Sequence, residues 1–192
     1  MKYIVSGTLR PGSRTFQLAE IVQQIYSDSN DEAEIIDLKT LQLNLLDGRQ
    51  YGGVELPTPT AEAVHKVNTA DGLIIISPEY NGSVPGALKH FIDHWKFPDS
   101  FESRPVCFIG LGGIFGGLRP IEHLQQIFSY RNAYMFPNRV FLMNAPKILV
   151  DGKIQDPNIE KLLRTQAEGF IKYVRALQNE KLDANSLLRA RS

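Results

Sequence analysis

Apolar positions along the chain switch between two periods. Tyr3-Ile4-Val5 is a short apolar run that ends at Ser6-Gly7. Leu18, Ile21, Val22 and Ile25 then fall at i, i+3, i+4 and i+7, which predicts a helix with one buried stripe. A strand is predicted over residues 33–38. Residues 40–59 hold Gly, Pro and Asn with no clear period and read as loop. A short helix over 61–69 turns Val64 and Val67 inward. Leu73-Ile74-Ile75-Ile76 is apolar at every position, as a strand covered on both faces of a parallel sheet must be, and Pro78 ends it. Leu88, Phe91, Ile92 and Trp95 share one face of the next helix. Pro85 falls in its first turn, where a missing N–H costs nothing. Residues 106–111 predict a fourth strand, and Ile121, Leu124 and Phe128 a helix. Residues 140–143 predict a fifth strand. Ile159, Leu162, Leu163, Phe170, Ile171 and Val174 mark one side of a last long helix.

Strands that alternate with helices imply an α/β fold, its five parallel strands joined by right-handed crossovers. One domain over residues 1–178 accounts for the pattern. A polar tail, 179–192, carries Arg189 and Arg191 and is expected to fray or to pack on a partner. Such sheets bind ligands outside the C-terminal strand ends, where the strand order reverses. With order 2-1-3-4-5, the loops after strands 1 and 3 flank that crevice, and the loop after strand 4 lies beside it.

Composition changes this picture little. The chain has 192 residues, 43% of them hydrophobic and 22% charged, with 21 basic against 21 acidic residues. A neutral balance gives no case for nucleic acid or an anionic membrane as partner. No apolar stretch reaches the length of a membrane span. The single Cys107 cannot form an internal disulfide, and no signal peptide opens the chain, so a cytoplasmic location is expected.

Chemistry concentrates in three loops. The first, residues 7–15, combines Thr8, Ser13 and Thr15 with Arg10, Arg14 and two glycines ahead of a helix. Hydroxyls, guanidinium groups and the free N–H groups of a helix start suit an anion. Alternatively, Ser13 is only an N-cap and the arginines are solvated. No Gly-Lys-Ser/Thr occurs, so this is not a Walker A loop. The second, residues 77–86, holds Pro78, Glu79, Tyr80, Asn81, Gly82, Pro85 and Gly86. Two prolines and two glycines fix a backbone path that suits the polar edge of a flat ring, or simply a rigid turn into the next helix. The third, residues 110–117, is glycine-rich and lets a ligand approach the backbone at Gly112 and Gly113. Gly110, Gly112 and Gly116 imitate a dinucleotide fingerprint. The strand that follows ends at Asn144 rather than at an acid for the ribose, so that reading is rejected.

Together these loops resemble the NAD(P)H-dependent FMN reductases of the flavodoxin-like fold, which include flavin, quinone, azo-dye and chromate reductases. The resemblance rests on three stretches. Residues 7–15 are similar to G-S-x-R-x-x-S-x-N. Residues 78–93 match P-E-Y-N-x-S-x-P-G-x-L-K-x-x-x-D at every fixed position. Gly116-Gly117-Leu118-Arg119 matches a terminal Gly-Gly-x-Arg. It implies a three-layer sandwich around a five-stranded parallel sheet of order 2-1-3-4-5. It also implies an FMN site: Thr8, Arg10, Ser13, Arg14 and Thr15 at the phosphate, Pro78, Glu79, Tyr80, Asn81 and Gly82 along the isoalloxazine, and Gly112 and Gly113 on the adjoining wall. Thr8 stands where serine is usual, and Thr15 where asparagine is usual.

The resemblance further implies hydride transfer from NADPH or NADH to bound FMN, then ping-pong reduction of a small-molecule acceptor such as a flavin, quinone or azo compound. The flavin carries that chemistry, so no side chain is assigned as catalytic. A homodimer or homotetramer is implied, in which Phe115, Tyr134, Met135 or Phe136 is either core or a cover for the flavin. Two other readings remain: a flavodoxin-like electron carrier that oxidises no nucleotide, and an FMN-free structural relative. His90 and His94 stand at i, i+4 but suggest no third ligand, so no metal is expected. His65 and His123 read as surface positions, and Cys107 as core.

Overall fold

A computed structural model describes residues 1–43 and 55–191. Its sheet runs in the order β2-β1-β3-β4-β5, formed by β1 (Lys2–Ser6), β2 (Ala33–Asp37), β3 (Gly72–Pro78), β4 (Pro105–Leu111) and β5 (Tyr134–Met135). Every neighbouring pair is parallel. The predicted order and layering are therefore those of the structure. The middle of the expected loop over 40–59 lies outside the described residues.

The period-two alternation of each strand sorts side chains onto two cores. Ile4, Ile74, Ile76, Cys107 and Ile109 face α1 (Arg14–Asp28) and α6 (Pro157–Asn179), packing with Leu18, Val22, Phe170 and Val174. Val5, Leu73, Ile75, Val106 and Phe108 face the other way. They pack with α2 (Thr58–Thr69), α3 (Gly86–Ile92) and α4 (Leu118–Tyr130) through Val67, Phe91, Leu124 and Phe128. β3 and β4 are buried at every residue because both layers cover them.

Four details depart from the pattern-based reading. The fifth strand is split: Tyr134–Met135 pairs with the start of β4, and β6 (Val140–Leu142) pairs with its end. Phe136, at the break, turns into the core against Phe170 and Tyr173. Pro85 is the N-cap of α3 rather than part of its first turn, and Trp95 lies beyond the helix end, yet packs in the same core. A short helix, α5 (Ala145–Ile148), and a hairpin of β7 (Leu149–Val150) and β8 (Lys153–Ile154) fill the stretch before α6.

The polar tail forms α7 (Ala184–Arg191) and packs on this chain rather than fraying. Its anchor is Arg104, which is fully buried. The guanidinium donates to the carbonyls of Asn68, Ala70 and Asp99 and, at 2.8 Å, to Asn185 Oδ1. Asn185 in turn donates to the Thr69 carbonyl and to Asp71. Burial lowers the Arg104 guanidinium to about 10, and Asp183, Asp71 and Asp99 oppose that shift.

Candidate active site

The three loops leave the sheet side by side. Strand pairing sets Ser6 against Ile76, and Pro78 against Leu111, so β3 and β4 end level and β1 ends two residues short of them at the same edge of the sheet. β1 lies between β2 and β3, its crossover α1 packs on one face of the sheet and the crossover α3 from β3 on the other, so the first and second loops face each other across the reversal point. The Gly7 N–H donates to the Ile76 carbonyl at 2.9 Å. A side chain at Gly7 would lie 2.6 Å from that carbonyl oxygen and 2.8 Å from Leu88, so only glycine lets β1 leave the sheet here.

The first loop brings Thr8, Ser13 and Thr15 to buried positions, while Arg10 and Arg14 are exposed. Ser13 is the N-cap of α1: its hydroxyl accepts from the Phe16 N–H at 3.1 Å. Capping uses an oxygen lone pair and leaves the hydroxyl hydrogen available, so a cap can also donate to an anion. Thr8 Oγ1 accepts from the Arg10 N–H at 3.2 Å and pairs with the Tyr80 hydroxyl at 2.8 Å. That hydroxyl pair joins the first and second loops across 72 residues of sequence.

The second loop is a tight hairpin turn. Tyr80 and Ser83 exchange N–H···O bonds of 3.1 and 3.0 Å. Asn81 and Gly82 between them both have positive φ, 51° and 72°, as a type I′ turn requires. Asn-Gly is the residue pair that this turn favours, because both positions need positive φ. Pro78 is buried, and the Glu79 N–H donates to the Leu111 carbonyl, locking the second loop to the end of β4. Ser83 Oγ lies 2.9 Å from His123 Nδ1 on α4.

The third loop folds back on itself. Side chains at Gly110 or Gly117 would collide with loop backbone at 2.7 and 2.5 Å, so these glycines serve the turn rather than a ligand. Gly112 lies against Glu79, whose Cβ would be 3.3 Å from an added side chain. Gly113 is different, because an added Cβ there would meet nothing within 4 Å. The loops also carry exposed apolar side chains, Leu9 in the first, Tyr80 in the second, and Ile114 and Phe115 in the third, with the exposed Met143 against Gly116.

Glu79 Oε2 is buried and lacks a hydrogen-bond partner among the described residues. A buried carboxylate oxygen is an acceptor in need of a donor. FMN offers a ring N–H, a flat face for a floor without side chains, and a phosphate for three buried hydroxyls, so the residues present fit it. Sequence reasoning missed the Thr8–Tyr80 and Ser83–His123 pairs. It noticed Arg119 only as part of a motif, and nothing in the local pattern announces any of these contacts.

The histidines play other parts. His90 Nε2 lies 3.2 Å from the Leu43 carbonyl, and His94 Nδ1 lies 2.7 Å from the His90 carbonyl. His65 and His123 are exposed. Cys107 is fully buried, and burial pushes its thiol well up.

The model of the NADPH-dependent FMN reductase family matches residues 3–147. The chain belongs to this family. It is 32% identical over 167 residues to an NAD(P)H:quinone oxidoreductase of Solanum tuberosum, covering 82% of this chain and 84% of that protein. It is 34% identical over 126 residues to an FMN-dependent NADPH-azoreductase of Staphylococcus aureus, covering 65% of this chain and 66% of that protein. Among solved structures, the flavoenzyme NAD(P)H:(acceptor) oxidoreductase FerB from Paracoccus denitrificans superposes with a TM-score of 0.69 at 20% identity, covering 91% of this chain and 96% of that chain. This family member is thus an NAD(P)H-dependent oxidoreductase that uses FMN, on a flavodoxin-like fold. No helix among its described residues is long and apolar enough to cross a membrane.

Proposed function

We propose that the three loops form one FMN site, and that the protein reduces a small-molecule acceptor with NADPH or NADH by a ping-pong route. The Thr8–Tyr80 hydroxyl pair carries this reading, because it draws an anion loop and a ring-edge loop together at the switch point. Thr8, Ser13 and Thr15 donate to the phosphate, and Arg10 and Arg14 supply its counter-charge. Pro78, Glu79, Tyr80, Asn81 and Gly82 line the ring edge, with Glu79 Oε2 accepting from it. Gly112 and Gly113 form the wall on which the ring lies.

When bound, FMN supplies the redox chemistry, taking a hydride from NAD(P)H and passing the electrons to the acceptor. The side chains hold and orient, and none of them needs to transfer a proton. An apolar rim of Leu9, Ile114, Phe115 and Met143 keeps water from the face where nucleotide and acceptor alternate. A quinone, flavin or azo compound suits this rim because such acceptors are flat and largely apolar. By the same likeness the chain assembles as a homodimer or homotetramer in the cytoplasm.

The test is to purify the protein, record its visible spectrum with added FMN, and follow NADPH and NADH oxidation with and without a quinone. The expected outcome is a flavin spectrum bleached by nucleotide and restored by quinone, with parallel lines in double-reciprocal plots. Absence of FMN uptake sinks the site. Flavin that binds but resists both nucleotides makes the protein an electron carrier.

A further inference from the structure

Arg119 is unused by this site and stands at its mouth. It is exposed and pairs with no carboxylate among the described residues. Two contacts hold its side chain. Its guanidinium lies 5.8 Å from the centroid of the exposed Phe115 ring, and a Cβ added at Gly82 would lie 3.7 Å from its Cδ. The cation is therefore braced between the second and third loops. A guanidinium braced on an aromatic ring loses less freedom when it binds, and its planar fork matches a phosphate in a bidentate manner. Phe115 and Ile114, 55% and 79% exposed, give a flat base an apolar surface beside that cation.

We infer that Arg119 and Phe115 read the adenosine 2′-phosphate of NADPH, Phe115 stacking on the adenine and Arg119 holding the phosphate, so that this chain discriminates NADPH from NADH. The assignment rests on the FMN site proposed above, because the nicotinamide must reach a ring lying on Gly112 and Gly113. NADH lacks the 2′-phosphate and leaves Arg119 solvated. The contact is open to water, so the discrimination falls with ionic strength.

The experiment uses the FMN-loaded full chain, as wild type, Arg119→Ala and Arg119→Lys. The ratio of kcat/KM for NADPH to that for NADH is expected to fall roughly tenfold in Arg119→Ala, the scale of one exposed charge-assisted contact. Arg119→Lys should recover part of it. Titration calorimetry of NADP+ and NAD+ should show the same loss of preference, and added salt should reproduce it in the wild type alone. An active Arg119→Ala with an unchanged ratio overturns the assignment and leaves the reductase reading intact. Equal losses with both nucleotides overturn it too, since Arg119 would then only brace the Gly82 turn. A wild type that takes up FMN but oxidises neither nucleotide overturns both.

Discussion

Gly112 and Gly113 are adjacent in sequence, yet the structure separates their roles, and a pair of alanine variants turns that into a measurement. At Gly113 an added Cβ meets nothing within 4 Å, and φ lies outside the left-handed region. In the FMN-free protein, Gly113→Ala should therefore not destabilise. It should add about 0.4–1 kcal/mol by reducing the freedom of the unfolded chain. At Gly112 the same methyl lies 3.1 Å from the Gly117 nitrogen and 3.3 Å from Glu79 Cβ, so neighbouring backbone must shift. Overpacking of that kind costs about 1–3 kcal/mol. FMN binding should rank the two differently. If the ring lies on Gly113, the methyl occupies the space it needs. Displacing a well-packed group by that amount costs about 1–3 kcal/mol, which weakens Kd by roughly 5-fold to 140-fold. Urea melts without FMN give stability, uncontaminated by the stabilisation that ligand adds. Quenching of flavin fluorescence gives Kd. A stable Gly113→Ala that binds FMN within twofold of wild type would refute the placement of the ring on this wall.

Other consequences follow from the same contacts. Arg104→Ala leaves the carbonyls of Asn68, Ala70 and Asp99 without their buried donor, and should lower stability by about 3–5 kcal/mol in urea unfolding; a loss under about 1 kcal/mol would contradict its anchoring role. Tyr80→Phe and Thr8→Val each remove the hydroxyl pair and should each cost about 1 kcal/mol, while the double variant costs little more than either alone; additive losses would deny the bond. Gln24 and Arg164 hold the Asp28 carboxyl below its usual value. That group therefore contributes stability above its unfolded value of 3.8, lost as the pH falls through its lower folded value. Arg164→Met should flatten that acid limb in a pH series of melts, and an unchanged slope would refute the linkage. Cys107, buried and with its thiol pushed up, should resist alkylation in the native protein and react once urea unfolds it.

The layer architecture was legible in the chain because burial on both faces leaves local traces. Leu73-Ile74-Ile75-Ile76 has no polar face to offer water, and Leu18, Ile21, Val22 and Ile25 have only one apolar side, so strand and helix could be told apart by period alone. The loops were legible for a different reason: hydroxyls, prolines and glycines are constrained by chemistry and by φ, and both constraints act within a few residues. Of the elements that hid from that reading, two show the reason. Tyr134–Met135 is too short to show a period, and α7 has a weakly apolar pattern. Each is stabilised by partners far away in sequence: β4 for the first, Arg104 for the second.

The sequence alone thus determined the element types, the sheet and the three loops proposed to carry the chemistry, since short-range periodicity and turn chemistry encode them. Tertiary structure decided which of those residues act together. It closed Thr8 onto Tyr80, left Glu79 Oε2 without a donor, separated Gly113 from the glycines that only close the third loop, and braced Arg119 between Phe115 and Gly82. Each of these facts depends on the register of β1, β3 and β4, which brings loops tens of residues apart together at one edge of one sheet. Register is a property of paired strands, and no single strand carries it.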